Sequence, residues 1–321
     1  MFKFDHVNAT SVADAASKLS AGNGHIIAGG TDMMCYMRGM FTPNPPDTLV
    51  NLKTVSGLSY IKEEGGMLKI GALTTLTDVA TSATVKGNYT VLADAARKVG
   101  SLELRNMGTV GGNICQRPRC RYYRHDFNAF SCLRKNPQGM CYALAGVNDE
   151  HSIFGATNGC VAACPSDLAP ALVALGATIV TSKKAWAAAD FFVPKGEQIN
   201  SIDADEVVTE IQVPTPASGT KSTYLKFAFR KSIDFPLVSA AVVCTSSGGN
   251  VSDASIVLGA VFNSPRKATS AETSIKGKAI DSSTAEAAGS AAVSGAVALA
   301  KNKYKVQIAR TLVKRALLAC K

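Results

Sequence analysis

The chain lacks most of the features that announce an activity directly. No run of 18 apolar residues occurs, so no segment is expected to cross a membrane as a helix. The first ten residues, MFKFDHVNAT, have no apolar core of the kind a secretory signal needs, and a reducing, cytoplasmic location is the expectation. No G-x-G-x-x-G follows a strand-like run, which disfavours a nicotinamide site of the usual kind. No Ser/His/Asp arrangement and no pair of carboxylates stands out, so no acid–base catalyst is named. Acidic residues are scarce: 24 against 34 Lys and Arg, a net charge of +10. Charged residues are still only 18% of a chain that is 46% hydrophobic, which argues for packed domains over disorder. At 321 residues, two or three domains are expected.

What is present is concentrated. Six of the nine cysteines fall between Arg105 and Asp167: Cys115, Cys120, Cys132, Cys141, Cys160 and Cys164. An odd number of clustered cysteines is unlike a disulfide framework and points to metal or redox chemistry. Cys120, Cys132, Cys141 and Cys160 are separated by 11, 8 and 18 residues, a spacing that suits a metal centre on irregular loops. Cys160 and Cys164 have the close spacing usual for zinc, which keeps a zinc site open. Between Cys115 and Cys141 lie six basic residues against the single acid Asp126, a field that favours anionic cofactors. Tyr122, Tyr123, Phe127 and Phe130 among these arginines suit stacking on a nucleic acid, but in such a loop are read as shielding the metal. Cys115 is expected to be a buried thiol, and Cys35, Cys244 and Cys320 core residues.

Along the chain, Ser11 is expected to cap a helix over 10–20, with Val12, Ala15, Ala16 and Leu19 on one face. His25–Ala28 reads as a strand running into GGTDMM, and a strand, a Gly-Gly turn and a helix start outline a phosphate cradle. Further strands are expected at 47–52 and 68–70, and helices after Leu73 and over 91–99. The glycines of GTVGGN (Gly108, Gly111, Gly112) suggest backbone pressed against a bulky ligand. Ser166 is read as the cap of a helix reaching Leu175, with Asp167 in its first turn. Strands are expected at 177–181 and 206–213, then at 223–230, 237–245 and 255–261, and helices at 284–300 and 304–320. Ile308, Leu312, Val313 and Ala316 fall on one face of the last. The segment from Pro214 to Gly219 is taken as a domain boundary, giving domains 1–218 and 219–321. The fold class is α+β: an N-terminal domain of two α/β subdomains, then an antiparallel sheet with helices.

AGGTDMM, IGALTTLTDVA, RNMGTVGGNICQ, PSDLAPALVALGA and YLKFAFRKSIDFPLVSAAV, in that order, resemble the FAD-binding medium subunit of the molybdenum hydroxylases. The resemblance covers essentially the whole chain. The cysteine segment, about 115–165, is similar to an insertion in 4-hydroxybenzoyl-CoA reductase and in three-subunit aldehyde oxidoreductases, where it holds a 4Fe–4S cluster. The resemblance implies that Ala28, Gly29, Gly30, Thr31, Asp32 and Met33 wrap the FAD pyrophosphate. Thr109, Gly112 and Asn113 would form a second loop over the flavin, with Gly108 and Gly111 setting its turns. Asp167 would contact the cofactor and Lys226 would lie near the flavin ring. Cys120, Cys132, Cys141 and Cys160 would hold the cluster, while Cys164 departs from the family pattern.

The implied function is an electron-transfer flavoprotein subunit working with a molybdopterin large subunit, a 2Fe–2S small subunit and an external acceptor. The alternatives are a 4-hydroxybenzoyl-CoA reductase-like subunit with inward electron flow, and a zinc-stabilised nucleic-acid-binding protein.

Overall fold

A computed structural model describes residues 1–321. Near the N-terminus, β1 (Asp5–Asn8), β2 (Gly24–Ile27) and β3 (Thr48–Asn51) form a parallel sheet ordered β1-β3-β2. Helix α1 (Val12–Ser20) begins where the Ser11 hydroxyl accepts the Asp14 N–H, and it buries Ala15 and Leu19 against the sheet. Helix α2 (Met33–Gly39) follows the Gly-Gly turn directly.

The second sheet is antiparallel: β4 (Ile61–Glu64), β5 (Met67–Gly71), β6 (Thr178–Thr181), β7 (Ala185–Ala187) and β8 (Val208–Pro214), ordered β4-β5-β8-β6-β7. The β4–β5 and β6–β7 hairpins supply four of its strands, which is why helices between strands do not make it parallel. Short helices lie between its strands along the chain: α3 (Leu76–Thr81), α4 (Ala83–Asn88), α5 (Thr90–Arg97), α6 (Leu102–Met107), α7 (Val110–Ile114), α8 (Leu168–Ala174) and α9 (Ala188–Phe191). α3 starts with a capping box in which Thr75 and Asp78 satisfy each other's N–H groups. The Ser166 hydroxyl accepts the Ala169 N–H at the start of α8.

The third sheet, ordered β12-β11-β10-β9, is an antiparallel meander of β9 (Thr220–Phe227), β10 (Val238–Ser247), β11 (Asn250–Gly259) and β12 (Arg266–Lys267). Both its faces are covered. Tyr224, Ala241 and Val257 join the core around α5 and α8, while Val238, Ala240, Val242 and Cys244 join the core under α10 (Thr269–Ile275), α11 (Ser282–Ala292) and α12 (Tyr304–Ala319). That is why β10 carries a continuous apolar stretch, Ala240–Cys244, although its partners are antiparallel.

Three sequence expectations are corrected. The helix expected to reach Ala300 ends at Ala292, because Val297 N–H reaches Ile153 O at 2.7 Å and the chain must leave helical geometry to make that contact. Cys35 is exposed, unlike the buried Cys244 and Cys320, because α2 buries its Tyr36 and Met37 side instead. Phe127 is also exposed, held outward by a left-handed backbone (φ 56°), so it shields nothing.

Candidate cofactor cleft and cysteine centre

A cleft of about 510 Å³ opens where the first two sheets and the third meet. That lies within the roughly 300–1,000 Å³ usual for small-molecule sites. Ala28, Gly29, Gly30, Thr31, Asp32 and Met33 all lie on its wall. The N–H groups of Gly29, Gly30, Thr31 and Asp32 donate to no acceptor within the protein. Four successive free amides at a glycine turn form an anion cradle. Gly30 sits at φ 72°, a conformation open to glycine at no steric cost. At Gly29 the demand is contact: an added Cβ would lie 1.9 Å from the Met107 carbonyl oxygen, where the two cleft loops touch.

The second loop works differently. Gly108, Thr109, Gly112 and Asn113 line the cleft, but most of the loop's amides are spent internally: Val110 to Thr74 O, Gly111 to Ala72 O, Gly112 to the Thr109 hydroxyl and Asn113 to Thr109 O. Its role is therefore close approach, with Gly112 exposed on the wall and Asn113 Oδ1 accepting the Ser166 hydroxyl at 2.7 Å. Asp167 lines the cleft and is buried; it accepts from the Tyr224 hydroxyl and from Lys226 Nζ at 2.9 Å. Burial pushes the Asp167 carboxyl up, against the pull of Lys226. Lys226 is not a cleft-wall residue: its Nζ is held by Asp167 and by Lys98 O at 2.9 Å. The mouth is apolar, with Leu104, Ile233 and Phe235 partly exposed. Ile233 sits at φ 67°, a strained backbone for a β-branched residue, and its N–H is tied to Gly100 O at 3.1 Å.

Beside the cleft, residues 115–167 contain no α-helix or strand and a single 3-10 turn. The side chains of Cys120, Cys132, Cys141 and Cys160 nevertheless line one small pocket of about 20 Å³, with Tyr122, Tyr123, Leu133, Tyr142 and Arg134. Backbone N–H groups two residues on face each sulfur: Tyr122 at Cys120, Arg134 at Cys132, Ala143 at Cys141 and Ala162 at Cys160. Arg134 Nε also donates to Cys160 Sγ at 3.2 Å, and His151 Nε2 lies 3.2 Å from Cys120 Sγ. The Cys141 thiol donates to Cys160 and Arg134 adds its charge, which together pull the Cys160 thiol down, whereas burial pushes Cys120 up to about 11. Cys164 is off this wall, buried beside Leu168 in the main core, and Cys115 lines the cofactor cleft.

The cysteine segment is anchored on both sides. Tyr123, Tyr36 and Thr42 hydroxyls converge on the Glu197 carboxylate at 2.6, 2.9 and 3.1 Å. Lys305 Nζ, buried in α12, donates to the carbonyls of Glu150, His151 and Ala260 at 2.8–3.0 Å. Sequence reasoning had not marked Arg117, Arg119, Gln116, Asn200, His151 or Lys305 individually. The density of arginines around Cys120 was the available signal for the first two, and nothing local marks the others.

Fold and cleft together define a flavoprotein-type subunit with a preformed nucleotide-cofactor groove. The FAD-binding domain of molybdopterin dehydrogenases matches residues 2–216, and the CO dehydrogenase flavoprotein C-terminal domain matches 223–320. The chain is 31% identical over 320 residues to the aldehyde oxidoreductase FAD-binding subunit PaoB of Escherichia coli, covering 96% of this chain and 95% of that one. It is 27% identical to the carbon monoxide dehydrogenase medium chain of Hydrogenophaga pseudoflava, covering 99% and 96%. A solved structure of that enzyme, lacking the Mo-pyranopterin moiety, superposes with a TM-score of 0.77 at 26% identity over 99% of this chain and 97% of that one. The chain therefore belongs to the FAD-binding medium-subunit family of the molybdenum hydroxylases. That membership leaves no place for the zinc-stabilised nucleic-acid alternative.

Proposed function

We propose that this chain is the FAD- and 4Fe–4S-bearing electron-transfer subunit of an aldehyde oxidoreductase-like molybdenum enzyme. Its partners would be a molybdopterin-binding large subunit, a 2Fe–2S small subunit and an external electron acceptor, with substrate chemistry in the large subunit. The observation that carries this reading is the convergence of four cysteines on one pocket beside a cofactor cleft, in a chain that resembles an aldehyde oxidoreductase subunit over nearly its whole length. When bound, FAD and the cluster supply the redox chemistry, and the protein positions and tunes them.

The free amides of residues 29–32 suit the FAD pyrophosphate, and the tight second loop, with Thr109, Gly112 and Asn113 on its wall, suits a flat ring system. Asp167 would reach the cofactor directly, and Lys226 would act through Asp167 by holding its carboxylate. Four thiols met by N–H donors are the donor set of an iron–sulfur cage. As they stand, no three of these side chains lie close enough together to hold a single metal ion. The pocket must widen to take a cluster, which loops without regular structure allow. Under the same reading residues 1–218 form the cofactor domain and 219–321 the domain that closes it.

The test is purification of the native complex, with flavin, iron, sulfide, molybdenum and co-purifying chains determined. One FAD per chain is expected, with four irons per chain beyond those of the 2Fe–2S subunit, and Gly30→Val and Gly112→Val should each lose the FAD while folded. Full flavin occupancy in both variants would remove these loops from the site.

A further inference from the structure

Asp32 does not do what its place in the chain suggests. It precedes α2, yet its side chain makes no cap hydrogen bond. Its carboxylate turns instead toward the cysteine segment, accepting the Arg117 N–H at 2.9 Å and pairing with Arg119 at 2.8 Å and Arg124 at 2.6 Å. All three donors belong to the turn that carries Cys120. Arg124 closes that turn by donating through Nε to Pro118 O at 2.7 Å, and its N–H bonds to Cys120 O at 2.9 Å. Arg119 also bonds Gln116 Oε1 at 3.0 Å and stacks on Phe235, 4.3 Å from the ring centroid, at the cleft mouth. One turn thus touches the amide loop, the second cleft loop and the mouth.

We propose that the turn from Arg117 to Arg124 is a clamp that makes FAD retention and occupancy of the cysteine centre mutually dependent, with Asp32 as its hinge point. The inference rests on the cofactor assignment proposed above and adds a coupling between the two sites. Metal bound at Cys120 fixes the turn, the fixed turn holds three donors on Asp32, and Asp32 fixes the neighbouring amides of Gly29, Gly30 and Thr31. Left unfixed, the same loop must be ordered at the expense of FAD binding. Coupling of this kind is reciprocal: whatever the cluster does for FAD affinity, FAD does for cluster retention.

Charge alone makes the opposite prediction. Two guanidiniums against one carboxylate leave net positive charge beside the amide loop, so neutralising Asp32 strengthens the field felt by a diphosphate. Asp32→Asn therefore separates the two effects. Measured in the purified complex by flavin titration after deflavination, Asp32→Asn should weaken FAD binding about tenfold and lower bound iron. Cys141→Ala, whose side chain neither lines the cleft nor belongs to the core beneath α2, should weaken FAD binding by a similar factor. The two together should be little worse than either alone, as expected for residues in one network. Chelator removal of iron from the unmutated complex reads the same coupling without relying on a variant that folds. Asp32→Asn binding FAD as tightly as wild type, or tighter, overturns the clamp, and so does wild-type FAD affinity after iron removal. These failures differ from failure of the cleft assignment, in which Gly30→Val and Gly112→Val keep their flavin.

Discussion

Around the cleft, every loop is held by the protein itself. Strand β2 delivers the Gly-Gly turn, Thr109 caps α7, and the second loop spends its amides on Ala72, Thr74 and its own Thr109. Around the cysteines, by contrast, residues 115–167 hold one 3-10 turn, strained backbone at Phe127 and Asn128, and a pocket of about 20 Å³. Apart from the amide loop, which leans on the Cys120 turn through Asp32, the first region is organised before any ligand arrives. The second has side-chain anchors at its edges, at Glu197 and Lys305, and at its centre four thiols among N–H donors and the side chains of Tyr122, Tyr123, Leu133 and Tyr142. Sites whose interior consists of metal ligands couple binding to local folding, whereas a preformed cleft does not. The difference explains why the cleft could be built from short local signals while the cysteine centre draws on residues spread over a long irregular segment.

The sharpest way to break this comparison is at the ligands. Cys120, Cys132, Cys141 and Cys160, changed singly to Ala, should each sharply reduce bound iron and sulfide, leaving what the 2Fe–2S subunit carries, measured colorimetrically on the complex. Cys115→Ala and Cys164→Ala should stay near wild type, because one thiol faces the cofactor cleft and the other is packed beside Leu168. The assignment sinks when Cys164→Ala empties the site and Cys160→Ala leaves it full.

A smaller effect should appear on the preformed side. Lys226 and Asp167 side chains are 8% and 3% exposed, so Lys226→Met leaves a buried carboxylate without its counter-charge. Destabilisation of about 3–5 kcal/mol in chemical unfolding is expected, relieved in part by adding Asp167→Asn. Unchanged stability in the single variant would show the pair to be solvated. The smallest effect concerns His25 on the cleft wall, which burial and then Arg117 push down to about 4 from its ordinary 6.5. As pH falls below 6.5 the unfolded chain takes up the proton first, so the stability present above that pH is lost toward pH 4. His25→Gln should flatten the stability–pH curve between pH 4 and 6.5; an identical slope would mean His25 is not the group responsible.

Much of the framework could be read locally. Ser11, Thr75 and Ser166 cap the helices they precede, Gly30 takes the left-handed turn its dipeptide suggests, and the β10 apolar run is a strand. These features depend on residues a few positions apart, so the sequence by itself determined them. It also placed two glycine loops where one cleft wall could form. Only the tertiary structure decided where long side chains went. Asp32, next to the amide loop in sequence, belongs by contact to arginines some 85 to 92 positions on. Lys226 pairs with Asp167, some 59 positions away in the chain, and Cys35 faced outward on the cleft while Cys244 was buried. Ala292 ended a helix that composition would have continued, because Val297 was needed at Ile153. Caps and turns obey short-range sterics; ion pairs and burial obey whatever the fold brings within a few ångströms, and no local pattern encodes that.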